Sequence, residues 1–121
     1  MIVRAATYFT PDLVLTRDSL QITGKLWMEN PAKYFEKIMI ETQKSDSSEF
    51  TVLLDVDYVN SSSTKQLLNY FKLLSDLKEG GIFTNVLVIW KIEEDDSDMK
   101  ELICELMEIS GLNIVTSFNK I

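Results

Sequence analysis

The sequence predicts an α/β fold: a mixed, mostly parallel sheet with an N-terminal hairpin and three main helices, in the order β-β-α-β-α-β-α-β. Three observations predict it. Two short alternating runs, one around Leu13 and one around Ile22, flank a polar turn. A long alternating strand at 50–59 and an apolar run at 84–90 follow. Three further segments carry apolar residues three and four apart, the period of a helix with one buried face. Strands that alternate with helices imply right-handed crossovers, which leave successive strands parallel. A chain of 121 residues buries enough surface for one core without staples, so 1–121 is expected to be a single domain.

Each element has its own signal. Leu13 and Leu15 alternate with Val14, and Leu20 and Ile22 with Gln21 and Thr23, on either side of Arg17-Asp18-Ser19. These are the two strands of the hairpin. Asn30-Pro31 starts a helix, with Asn as cap and Pro at the first helical position. Tyr34, Phe35, Ile38, Met39 and Thr42 give that helix its apolar face, and the polar run 44–49 ends it. On the strand at 50–59, Val52, Leu54, Val56 and Tyr58 are expected on one face. Leu53, Asp55, Asp57 and Val59 fall on the other. Leu67, Leu68, Phe71, Leu74 and Leu77 trace a second helix that stops at Gly80-Gly81. The run 84–90 is apolar and β-branched enough for a buried strand. Leu102, Ile103, Leu106 and Ile109 mark a third helix ending at Ser110-Gly111, and 113–118 makes a last short strand.

Charge and composition narrow the function. The chain carries 12 basic and 19 acidic residues, a net charge of −7, which repels phosphate backbones and anionic lipid. Nucleic acid and membrane are therefore not expected partners. There is no histidine, so Ser-His and Cys-His nucleophile pairs and imidazole metal sites are excluded. Composition leans away from an enzyme. The lone cysteine, Cys104, cannot close an internal disulfide, and its neighbours Ile103 and Leu106 suggest a partly buried thiol. Met1-Ile2-Val3-Arg4-Ala5 lacks the apolar run of a secretion signal, and no stretch approaches the roughly 18 apolar residues of a membrane span. A cytoplasmic location is the expectation.

Four features could carry chemistry. The acidic run 93–98 lacks the alternation and the glycine of a calcium loop. It suits the start of a helix, with Asp98 and Glu101 spaced as a capping box, or a partner-facing patch. Asp55 and Asp57 lie two apart near the carboxyl end of a strand, where open α/β sheets place their sites. As a pair they could hold a divalent ion in a small enzyme or ligand binder. No phosphate-cradling loop or dinucleotide fingerprint accompanies them, and no cofactor is expected. Trp27, Trp90, Tyr34, Phe35, Tyr58 and Phe71 read as core and core-edge aromatics, because no Lys or Arg interleaves them as in a single-strand binder. Last comes Asn60-Ser61-Ser62-Ser63-Thr64 between a strand and a helix. A serine there can cap the helix, and in a constitutive scaffold the turn would do no more. Yet one cap needs one hydroxyl and the turn has four. A hydroxyl at a helix N-terminus also suits reversible phosphorylation, since free amides and the dipole hold the phosphate. That phosphate adds about −1.5 to −2 charge beside Asp55 and Asp57, and a partner fitted to the neutral turn would be expelled.

From roughly residue 10 to 118 the chain resembles the SiaC family of bacterial regulatory phosphoproteins. Thr10-Pro11, Leu20-Gln21-Ile22-Thr23-Gly24-Lys25 and Glu29-Asn30-Pro31 carry the resemblance in the first third, with Met28 where the family usually has proline. Tyr58-Val59-Asn60-Ser61-Ser62-Ser63-Thr64-Lys65 is similar to the family's Tyr-Leu-Asn-Thr-Ser-Ser segment, and Asp95-Asp96-Ser97-Asp98-Met99 to its Asp-Asp-x-Asp-Met segment. The resemblance implies a STAS-like fold of the anti-sigma-factor-antagonist type and a non-enzymatic switch. A partner kinase would phosphorylate the hydroxyl after the Asn, here Ser61 with Ser62 in reserve, and a PP2C-type phosphatase would remove the phosphate. The family often has threonine at that position. Asn60, Ser62, Ser63, Thr64 and Lys65, together with Glu29 and Asn30, would face the partner. The unphosphorylated form would bind an output protein, a diguanylate cyclase in the best-understood systems, and raise cyclic di-GMP to promote biofilm.

Overall fold

Six strands hydrogen-bond into one sheet in the order β1-β2-β3-β4-β5-β6, so strands consecutive in sequence are neighbours in space. In a computed structural model describing residues 1–7 and 10–118, the strands are β1 (Ile2–Arg4), β2 (Asp12–Leu15), β3 (Ser19–Leu26), β4 (Glu49–Val59), β5 (Asn85–Ile92) and β6 (Ile114–Phe118). The helices α1 (Pro31–Gln43), α2 (Ser61–Glu79) and α3 (Ser97–Ser110) connect β3 to β6. β1, β2 and β3 are antiparallel, and β3 to β6 run parallel. The expected hairpin, sheet type, helices and element order are all present. β1 is an addition: three residues are too short to show an alternation, and only pairing with β2 makes them a strand.

Each crossover helix carries the chain one strand further in the same direction. Right-handed connections of that kind put all three helices on one face of the sheet. Burial follows. Leu13, Leu15, Leu20, Ile22, Val52, Leu54, Val88 and Trp90 are buried under the helices with Phe35, Ile38, Leu67, Phe71, Ile103 and Leu106. The indole N–H of buried Trp90 donates to the Val56 carbonyl at 3.0 Å, so this large ring leaves no polar atom unpaired. Between α1 and α2 the Thr42 hydroxyl donates to the Ile38 carbonyl at 2.7 Å and lies 3.0 Å from the Tyr70 hydroxyl. Thr42 has one proton, so Tyr70 is the donor of the second bond. α3 ends on Gly111 in the left-handed conformation (φ +78°), with its N–H on the Met107 carbonyl.

Several expectations change in three dimensions. Gly24 pairs with Val56 but Lys25 pairs with Tyr58, which leaves Asp57 as an extra residue in β4. This bulge reverses the strand's phase. Tyr58 consequently leaves the core side and is 48% exposed, its ring edge-on to Trp27. Val59, not Tyr58, turns inward beside Leu26. Cys104 is exposed, because Met99, Ile103, Leu106 and Ser110 set the buried stripe of α3 and place it outside. Ile109 is exposed for the same reason. The cap of α3 is Asp96, which accepts from the Met99 amide at 3.1 Å, two residues before the expected Asp98. Asn30 does occupy the cap position of α1, but its side chain makes no capping bond.

Candidate functional site

α2 begins where β4 ends, at the carboxyl edge of the parallel strands, and Asn60 makes the corner. Its amide N–H donates to the Leu26 carbonyl at 2.8 Å, and its carbonyl accepts from the Thr64 amide at 2.9 Å. Its side-chain oxygen accepts from the Ser63 amide at 3.0 Å, and its side-chain nitrogen donates to the Met28 carbonyl at 3.1 Å. The helix cap is therefore this asparagine and none of the serines. The four hydroxyls that follow are released from that task.

Their environments differ. Ser61 is exposed at the first helical position, and its hydroxyl makes no hydrogen bond among the described residues. Ser62 is also exposed and makes only two long contacts, 3.5 Å to the Met28 carbonyl and 3.5 Å to the Asn60 side-chain oxygen. Ser63 is fully buried, and its oxygen makes no hydrogen bond among the described residues. The Thr64 hydroxyl donates to the Asn60 carbonyl at 3.0 Å. Lys65, one helical turn after Ser61, is exposed and forms no ion pair among the described residues. The first amides of a helix have no acceptor within it, so Ser61 sits where backbone donors and the dipole favour an anion.

Glu29 and Asn30 are exposed and come to the turn through their neighbour: Met28 supplies the carbonyl that Asn60 and Ser62 touch. The same two residues line a cavity of about 530 Å³ with Arg4, Lys33 and Tyr34, and residues 60–64 are not on its wall. The Arg4 guanidinium lies 4.6 Å from the Tyr34 ring centre and donates to the Tyr34 carbonyl at 3.1 Å. Burial raises the Tyr34 hydroxyl above its ordinary pKa, against the opposing pull of Arg4.

Asp55 and Asp57 line a hollow with Thr23, Lys91, Glu93 and Asp96. Asp57 is held by Lys25 at 3.1 Å, an exposed pair. Among the described residues no group of three His, Cys, Asp or Glu could hold a metal ion. The described helices include none long and apolar enough to cross a membrane. Sequence reasoning named the turn and both carboxylates. It missed Asn60 as the cap and Met28 as the residue that carries Glu29 and Asn30 to the turn. Asparagine's rank among the best N-caps was the available signal for the first.

Fold and turn define a class: a small α/β protein whose helix start offers an exposed hydroxyl beside a firmly held cap. The chain belongs to the SiaC family of regulatory phosphoproteins, whose family model matches residues 5–117. Solved structures share the fold. One is the diguanylate cyclase SiaD in complex with its activator SiaC from Pseudomonas aeruginosa, with a TM-score of 0.86 and 20% identity over 98% of this chain and 100% of that one. A second is SiaC of the same organism, with a TM-score of 0.84 and 20% identity over 98% of each chain. Apo-SiaC gives 0.82, with 21% identity over 96% of this chain and 97% of that one. No curated protein matches.

Proposed function

We propose that this chain is a non-enzymatic phosphorylation switch with Ser61 as acceptor and Ser62 in reserve. The observation that carries the reading is the unequal state of the four hydroxyls. Ser63 is buried and Thr64 is committed to Asn60, while Ser61 is exposed and unbonded at a helix start. A kinase can reach Ser61 without unfolding the turn, and a PP2C-type phosphatase can reach the product. The unphosphorylated turn, with Asn60, Ser62, Lys65, Glu29 and Asn30 around it, binds an output protein. Membership of the SiaC family and the likeness to a SiaC chain solved with a diguanylate cyclase support a cyclase as that output. Phosphate at Ser61 puts charge into a contact shaped for a neutral hydroxyl and releases the partner. Kinase and phosphatase both work on a cytoplasmic protein, where a lone thiol such as Cys104 stays reduced.

Intact-mass measurement of protein from its native host, with fragmentation of the peptide spanning 60–65, tests the acceptor. Phosphate on Ser61 is the expected result. In binding assays Ser61→Ala holds the partner-binding state, and Ser61→Asp weakens the partner by about 1–3 kcal/mol. Equal affinity of both variants would overturn the reading.

A further inference from the structure

The cavity of about 530 Å³ at the start of α1 runs against the charge of the chain. Acids outnumber bases 19 to 12 in the sequence, yet this wall carries two cations, Arg4 and Lys33. Glu29 is the one acidic residue among the described residues that line it. Neither cation forms an ion pair among the described residues, where the pairs are Arg17–Asp46, Lys25–Asp57 and Lys44–Glu41. Asp12 is close enough for its charge to act on Tyr34, but it accepts from the Ala6 amide at 2.7 Å and is not among the described wall residues. Arg4 is also held in place. One guanidinium nitrogen, Nη1, donates to the Tyr34 carbonyl at 3.1 Å, and the group lies 4.6 Å from the Tyr34 ring centre. A guanidinium has five N–H donors in one plane, so an arginine fixed in this way keeps donors for an anion.

We infer that this cavity binds a small organic anion, a carboxylate or phosphate head on an apolar body. Arg4 and Lys33 take the head, and the planar fork of Arg4 matches either group. Met28 and Tyr34 bring apolar surface for the body. Asn30, whose side chain makes no capping bond, and Thr10 bring the polar groups that fix its orientation. The volume suits such a molecule, since ligand pockets run from about 300 to 1,000 Å³ and are mostly apolar with few polar groups. A metal cation would meet two positive side chains against one carboxylate, which argues for an anion in its place. The inference does not rest on the switch, because residues 60–64 are not among the described residues of this wall.

Calorimetric titration and amide chemical shifts of the full chain test it with three probes on one ring system. These are naphthalene-2-carboxylate, 2-naphthyl phosphate and the neutral naphthalene-2-carboxamide. At least one anion should saturate the chain with a Kd of about 1 mM, the affinity that about 13 heavy atoms give at ordinary ligand efficiency. The tighter of the two anions identifies the head group. Shifts should centre on Arg4, Lys33 and Tyr34, and the carboxamide should bind about tenfold more weakly or worse. Arg4→Gln should weaken the anion about tenfold, and Lys33→Gln about threefold. Lys33 is exposed and makes no hydrogen bond or ion pair among the described residues, so Lys33→Gln still reads the site should Arg4→Gln fail to fold. Glu29→Gln removes the opposing charge and should tighten the anion. Equal binding of anion and carboxamide, shifts centred away from Arg4 and Lys33, unchanged affinity in Lys33→Gln, or no saturation by about 10 mM would each overturn the inference.

Discussion

The side-chain nitrogen of Asn60 donates to the carbonyl of Met28 at 3.1 Å, across the gap between two separate crossovers. The same side chain caps α2 through its oxygen on the Ser63 amide. One residue thus fixes where α2 starts and where the chain leaves β3 for α1. The bond ties the start of α2 to the segment 28–30, beside the exposed Glu29 and Asn30.

Asn60→Ala should remove both bonds and cost about 2 kcal/mol, a fall in Tm of about 8 °C. Asn60→Asp keeps an acceptor for the cap and loses only the donor to Met28, so it should cost about half as much. Thermal melts of the two variants separate the cap from the tether. Equal losses would mean that the tether carries the whole effect.

The serines should respond in opposite senses. Ser61→Ala should leave stability within about 0.5 kcal/mol of the parent, as expected for an exposed side chain with no hydrogen bond among the described residues, while removing the phosphate mapped to position 61. Ser63→Ala removes a buried hydroxyl that has no partner and should be neutral or stabilising by up to about 1 kcal/mol. Urea melts check both.

Negative charge at position 61 should stabilise the fold even where it weakens a partner. Ser61→Asp places a carboxylate at the first helical position, one turn from Lys65, which should raise stability by about 0.5 kcal/mol at low salt. Lys65→Met should remove part of that gain, and salt should remove more. A Ser61→Asp protein less stable than its parent would place the charge in a repulsive setting.

Tyr70 and Thr42 should show an asymmetric cost. Tyr70→Phe leaves Thr42 bonded to Ile38 and should cost about 1 kcal/mol, whereas Thr42→Val strands the buried Tyr70 hydroxyl and should cost about 2 kcal/mol. Burial pushes the Tyr70 hydroxyl far above its ordinary value, outweighing the Thr42 bond, and Tyr34 is raised by burial too. A raised folded value means that this stability is fully present below the unfolded pKa of about 10 and is lost as pH rises beyond it. Denaturant titrations from pH 8 to 11 should therefore be flat and then fall, and Tyr70→Phe should shallow the fall.

The sequence by itself determined the element order, three amphipathic helices, the hairpin and the hydroxyl-rich turn, because these rest on local period and turn chemistry that neighbours in the chain enforce. The absence of histidine removed whole classes of catalyst for the same elementary reason. Tertiary structure decided the rest. The extra residue at Asp57 is visible only against the register of β3, and it moves Tyr58 from core to surface. The short β1 exists only through its partner strand. Which hydroxyl is free depends on Asn60 taking the cap and on helix packing burying Ser63, and neither is a property of one segment. That the helices share one face, leaving Leu53 and Ile89 without a covering layer among the described residues, follows from the sense of three successive crossovers. Local period specifies which element a segment becomes, but only the packing of those elements specifies what each side chain is left facing.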